Sequence, residues 1–159
     1  MVSFIYAIQF ITQQYFPSKM PLHRIFHPLS AFSSSDKKAL SERITALYTE
    51  KGLPAFYVVV LFIPIESDSF FVGGKSTDKF VRIIVQHLAR QLPDEERKKQ
   101  FSERYENALA PFIKDKGYDW EVHVEEVSPD MWRENGLIPP IKIPEMEKEW
   151  ARLNKPIPY

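Results

Sequence analysis

Leu22 to His27 alternate in side-chain character and stop at Pro28, the pattern of a short strand closed by a residue that cannot extend the ladder. From Asp36 to Lys51 the period changes: Leu40, Ile44 and Leu47 recur at the i, i+4, i+7 spacing of one helical face. Ser34 or Ser35 supplies an N-cap for that helix, Asp36 suits the positive end of its dipole, and Gly52 offers a left-handed stop. The run Phe56 to Ile65, FYVVVLFIPI, is nearly continuous in apolar residues and rich in valine, which predicts a strand buried on both faces. Strand, helix and strand make one βαβ unit.

The pattern then recurs. Phe80 to Leu88 (FVRIIVQHL) predicts a strand, and Pro93 to Lys116 a helix with Phe101, Tyr105, Ala108 and Phe112 on one stripe. Trp120 to Val127 (WEVHVEEV) is another alternating strand. Pro93 followed by acidic residues starts the second helix and Gly117 stops it, while Pro111 removes a helical hydrogen bond and should kink or split the last turns. Two βαβ passes of similar length are an internal pseudo-repeat. With right-handed crossovers they share one four-stranded sheet of an α+β fold, both helices on one face. The opposite face is left apolar and uncovered, and other subunits are its simplest cover.

Composition narrows the function classes. A chain of 159 residues with 44% hydrophobic content is of single-domain size. Twenty-one basic residues balance twenty-one acidic ones, so the broad positive field of a nucleic-acid binder is missing, and small molecules or other subunits are the expected partners. The absence of cysteine excludes disulfides, thiolate metal sites and cysteine nucleophiles, and fits a reducing, cytoplasmic setting.

Three segments follow. Residues 1–20 are apolar and aromatic but lack a basic start, a small-residue cleavage site and the length to span a bilayer. They read as an extension to the domain at 21–136, and we take Met20 as the true initiator. Residues 137–159 hold five prolines and one helical piece, around Glu145 to Leu153, and read as a tail wrapping a surface of this chain or of a neighbour.

No phosphate loop, dinucleotide fingerprint or nucleophile elbow is present; VGGK holds ordinary turn glycines. His23 and His27 share a strand face but stand about 13 Å apart at ~3.3 Å per residue, too far to chelate one metal alone. Four polar features remain, each with an ordinary structural explanation beside a functional one. Arg90, three residues after His87 at a strand end, is either a carboxylate clamp or a surface ion-pair partner. Tyr48, one residue past the helical stripe, reads as a core residue with a wet hydroxyl. His123 reads as a half-buried, hydrogen-bonded strand histidine, and Glu134 in MWRENG as a solvated turn carboxylate.

Together MPLHRIF, GLPAFYVVV, FFVGG, VRIIVQHLAR and EVSPDMWRENGLIPP make the chain, from Pro21 to about Pro140, resemble the tautomerase superfamily and within it the cis-3-chloroacrylic acid dehalogenase-like branch. The resemblance implies two βαβ units per subunit, a homotrimer burying its sheets at the centre, no cofactor, and an amino-terminal proline as catalyst. By motif, the proline falls on Pro21, the water-activating glutamate on Glu134 and the second of two arginines on Arg90. The first arginine falls on His87, a helix histidine on Tyr48 and a strand tyrosine on His123. Losing one arginine weakens the carboxylate clamp that makes hydration and dehalogenation feasible. Arg82 has the opposite strand parity to His87. Retained hydrogen-bonding groups at the changed positions fit an altered substrate. The implied activity is therefore tautomerisation or isomerisation of small 2-oxo or enol carboxylates. It requires Pro21 to be the first residue, because behind an extension its nitrogen is an amide; the same pocket would then be a non-catalytic ligand site in an oligomer.

Overall fold

The structure, a computed structural model, describes residues 20–88 and 92–159. Residues 1–19 and 89–91 lie outside it, and with them Arg90 and nearly all of the amino-terminal extension. Strand β1 (Met20–Pro28) leads into helix α1 (Ser34–Thr49) and strand β2 (Val59–Ile65). Two short strands, β3 (Phe71–Val72) and β4 (Lys75–Ser76), form a separate hairpin. The second unit is strand β5 (Phe80–Leu88), helix α2 (Glu95–Leu109) and strand β6 (Asp119–Glu126), and helix α3 (Pro144–Leu153) lies in the tail. The sheet order is β2-β1-β5-β6, with the strands parallel within each βαβ unit and β1 antiparallel to β5 where the units meet. This is the expected α+β architecture of tandem units. It places the start of β1 and the end of β5 at the same end of the sheet.

Local chemistry sets the boundaries. Ser33, rather than Ser34 or Ser35, caps α1, because only a residue three before Asp36 closes a reciprocal box: Ser33 Oγ accepts from the Asp36 amide and Asp36 accepts from the Ser33 amide. Asp36 also meets Lys116 at 2.8 Å, and these partners, Lys116 first, hold its carboxyl at about 2. The apolar run from Phe56 enters the sheet only at Val59, because residues 55–57 close a 3₁₀ turn. Helix α2 stops at Leu109, and 3₁₀ turns at 110–112 and 114–116 carry the chain past Pro111 to Gly117 at φ 75°.

The core lies between the sheet and the helices. Along β5, Val81, Ile83, Val85 and His87 are buried while alternate residues are only partly covered. In β1 the buried positions on the helix side are Pro21, His23, Ile25 and His27, and Pro28 is buried at the strand end. The other sheet face is more mixed than its sequence suggests. Leu22, Phe26, Leu61, Ile63 and Ile84 share it with Arg24, bonded to Gln86 at 2.7 Å, and Arg82, paired with Glu121 at 2.5 Å. Its β2 half, with Leu22 and Phe26 beside it, is apolar around the single cation Arg24, and its β6 edge is charged. Among the described residues no helix is long and apolar enough to cross a membrane.

Candidate functional site at the start of the first strand

Antiparallel pairing sets Pro21 opposite His87, and both point to the helix side, where they are buried. Two residues along the same face, His23 lies fully buried and shares a 2.8 Å hydrogen bond between Nδ1 and Tyr105 Oη. Its ring stacks on Tyr105 at 5.5 Å. Burial, with a smaller contribution from His87, lowers the His23 imidazole to about 3, so it is neutral at physiological pH.

Tyr48 projects from the last turn of α1 into this cluster. Its ring lies 5.9 Å from that of His87 and 5.7 Å from that of His23. Leu40, Ile44 and Tyr48 are the buried positions of α1, and Leu47 is only half-buried. The Tyr48 hydroxyl is not wet: it is buried with no hydrogen-bond partner, as is His23 Nε2. Burial raises the phenol far above its usual range and keeps it a donor. An unpaired buried polar atom costs about 1–3 kcal/mol, and native structures keep few of them. Phe101 of α2 closes the cluster, 4.9 Å from the His87 ring.

Glu134 sits at a two-residue turn. Its amide and carbonyl exchange hydrogen bonds with Leu137 at 2.9 and 2.8 Å, around Asn135 and Gly136 at φ 48° and 83°. Asparagine and glycine are the residues that tolerate two consecutive positive φ values. Glu134 Oε1 accepts from Trp132 Nε1 at 3.1 Å, and the Trp132 ring packs edge-on against Tyr57 at 4.9 Å. Tyr57 stands two residues before β2, whose Val59 pairs with Leu22, so the glutamate turn rests at the sheet end that carries Pro21.

Of the six residues singled out in the sequence, Arg90 lies outside the described residues and the other five are divided. Pro21, His87 and Tyr48 come together, and Glu134 stands at the same end of the sheet. His123 does not join them within one chain. It pairs with Ile84 on the opposite sheet face, and it is exposed, 3.8 Å from Glu125, instead of half-buried. The alternation that turns Val122 and Val124 inward turns His123 out. Arg82 lies on that outer face as well. Sequence reasoning assigned no site role to His23, Tyr105, Tyr57 or Trp132; the one local signal was an indole two residues before Glu134 in a polar turn. No group of three or more His, Asp or Glu that could hold a metal ion occurs among the described residues.

Residues 20–155 match the family model described as "Putative oxalocrotonate tautomerase enzyme". The chain belongs to this family of the tautomerase superfamily. RhCC from Rhodococcus jostii RHA1 is 47% identical over 87% of this chain and 99% of its own, with a TM-score of 0.83. A probable enzyme from the thermophilic fungus Aspergillus fumigatus is 38% identical over 89% and 99%, with a TM-score of 0.84. N1, a member of the cis-3-chloroacrylic acid dehalogenase family, shares the fold at 18% identity, covering 81% of this chain and 89% of its own with a TM-score of 0.62. No functionally curated protein matches the sequence.

Proposed function

We propose that this tautomerase-family chain, when it begins at Pro21, is a proline-based tautomerase or isomerase of small 2-oxo and enol carboxylates. The observation that carries the reading is the placement of Pro21 opposite His87 on the buried sheet face, beneath the unpaired hydroxyl of Tyr48. A secondary amine is protonated in water, and apolar burial disfavours its charged form, which brings it toward neutrality at working pH. The neutral amine takes the enol O–H proton; the resulting ammonium returns a proton to the enol carbon as the C=C π pair accepts it and the C=O bond forms. Atoms and charge balance, and the amine is regenerated.

In this reading Arg90 and His87 hold the substrate carboxylate, Tyr48 donates to the substrate oxygen, and Glu134 positions water or a proton. His123 points off the other sheet face, so its substrate-binding role requires a neighbouring copy. A homotrimer covering the apolar half of that face supplies one, and a fused 4-OT relative of the same fold forms an asymmetric trimer. With one arginine fewer than the dehalogenase pattern, hydration and dehalogenation are at most side activities.

A second reading rests on β1 itself. Met20 continues the strand ahead of Pro21 and pairs with Leu88. If residues 1–20 stay attached, Pro21 nitrogen is a tertiary amide with no lone pair to titrate, and the pocket binds a small ligand without turning it over. Ketonisation of phenylenolpyruvate separates the readings. The chain beginning at Pro21 should turn it over, and Pro21→Ala should lose at least about 100-fold in kcat/KM, the scale of one acid–base group. Equal rates would remove Pro21 from the mechanism.

A further inference from the structure

The glutamate turn is tied into the protein from behind, by residues with no assigned function. Glu134 Oε1 receives the Trp132 indole N–H, and among the described residues no other donor reaches that carboxylate. Its orientation therefore depends on where the indole is held. The indole packs edge-on against Tyr57, which is fully buried. Tyr57 in turn faces Trp150 of α3, also fully buried, at 6.4 Å and 75°.

The tail fixes Trp150 by its own bonds. Trp150 Nε1 donates to the Ile157 carbonyl at 3.0 Å, and Asn154 Oδ1 accepts from the Phe56 amide at 3.0 Å. Asn154 stands at φ 50° where α3 ends, a conformation in which asparagine is one of the few tolerated side chains. A chain of edge-on aromatic contacts, buried at Trp150 and Tyr57 and half-buried at Trp132, thus runs from the tail helix to the turn that carries Glu134. Charge–dipole contact alone does not demand this arrangement: an indole N–H in a solvated turn would be satisfied by water, as would the carboxylate.

We propose that Trp132 is the positioning residue of Glu134, setting its carboxylate through the indole hydrogen bond, and that Tyr57 and the tail helix hold Trp132 for that purpose. The functional half of this inference rests on the reading of Glu134 as the group that handles water or a proton; the structural half does not. Trp132 touches no substrate in this account. It acts by denying Glu134 its alternative rotamers, which matters because a misplacement of about 1 Å at a reacting group can cost on the order of 100-fold in rate.

The test uses the full chain beginning at Pro21, with Trp132→Phe, Glu134→Gln and the double variant. The chain has three tryptophans, so its indole N–H resonances report separately on Trp132, on Trp120 bonded to Glu106 and on Trp150 bonded to Ile157. Glu134→Gln should move the Trp132 indole resonance and leave the other two in place. Trp132→Phe keeps a ring against Tyr57; it should lower kcat for phenylenolpyruvate by the same factor as Glu134→Gln within about threefold, with KM unchanged. The double variant should be no slower than either single one.

An unmoved Trp132 resonance in Glu134→Gln would overturn the inference. So would a wild-type kcat in Trp132→Phe when Glu134→Gln is impaired. If Glu134→Gln moves the resonance but leaves the rate intact, the positioning contact stands and the catalytic reading of Glu134 fails.

Discussion

Burying His23 beneath Pro21 gives the fold a specific acid sensitivity whose size follows from the structure. Its imidazole falls from 6.5 to about 3 because burial, and secondarily His87, disfavours the charged ring. Between these values the unfolded chain binds a proton that the native chain refuses. Stability therefore rises with pH across this window and is lost as pH falls from 6.5 toward 3. At about 1.4 kcal/mol per pH unit, His23 alone removes about 3 kcal/mol between pH 7.5 and pH 4.5.

His23→Gln keeps a side chain able to bond Tyr105 but carries no titrating group. Urea unfolding of both proteins at one concentration and at the two pH values isolates the effect. His27, lowered by burial against a weaker opposing bond to the Pro28 carbonyl, and every carboxylate remain in both proteins and cancel. The variant should lose about 3 kcal/mol less than the parent on acidification. An equal loss in the two would show that His23 titrates normally in the fold, and the claim of a dry, neutral cluster under Pro21 would fall.

Other consequences are independent of that one. Tyr48→Phe removes a buried hydroxyl that has no partner, so unfolding free energy should stay level or rise by up to about 1 kcal/mol while kcat/KM for ketonisation falls about tenfold; a stability loss would show that the hydroxyl is bonded in solution. Trp150→Ala empties a fully buried site and should cost about 3–5 kcal/mol in chemical denaturation, whereas a cost below 1 would mean that the tail is not docked. Leu61→Arg puts a cation on the apolar half of the outer sheet face; light scattering should show a trimeric parent and a smaller variant, and two identical masses would place the subunit contact elsewhere.

Much of the scaffold was legible because its elements are long and periodic. The Phe80 to Leu88 strand carries its alternation to both ends, and Pro111 and Gly117 mark the breakdown of α2 chemically. Errors fell where a few atoms decide. The cap went to Ser33 because a reciprocal box needs a spacing of three, and the β2 run lost its first residues to a 3₁₀ turn. Tyr48 is buried because Leu40, Ile44 and Tyr48 are spaced by four, which slides the covered face about 40° per step past Leu47.

The site was legible only in part, for a different reason. Pro21 and His87 meet through strand register, which the pseudo-repeat implies, but His23 with Tyr105 and Tyr57 with Trp132 meet across 82 and 75 residues, and no local pattern announces such contacts. The inverse failure is His123: alternation with Val122 and Val124 was visible, and only the direction of the sheet face decides that it points outward. The mixed outer face has the same origin, since Arg24 and Arg82 lie in strands that otherwise read as apolar.

The proposed chemistry runs through the free amine of Pro21. Two preparations differing by one residue test it: the chain beginning at Pro21 and the same chain with Met20 retained and confirmed by intact mass. Ketonisation of phenylenolpyruvate should proceed in the first and fall at least about 100-fold in the second, because the added peptide bond removes the titrating lone pair without changing any side chain of the pocket. Equal kcat/KM in the two preparations would contradict the account.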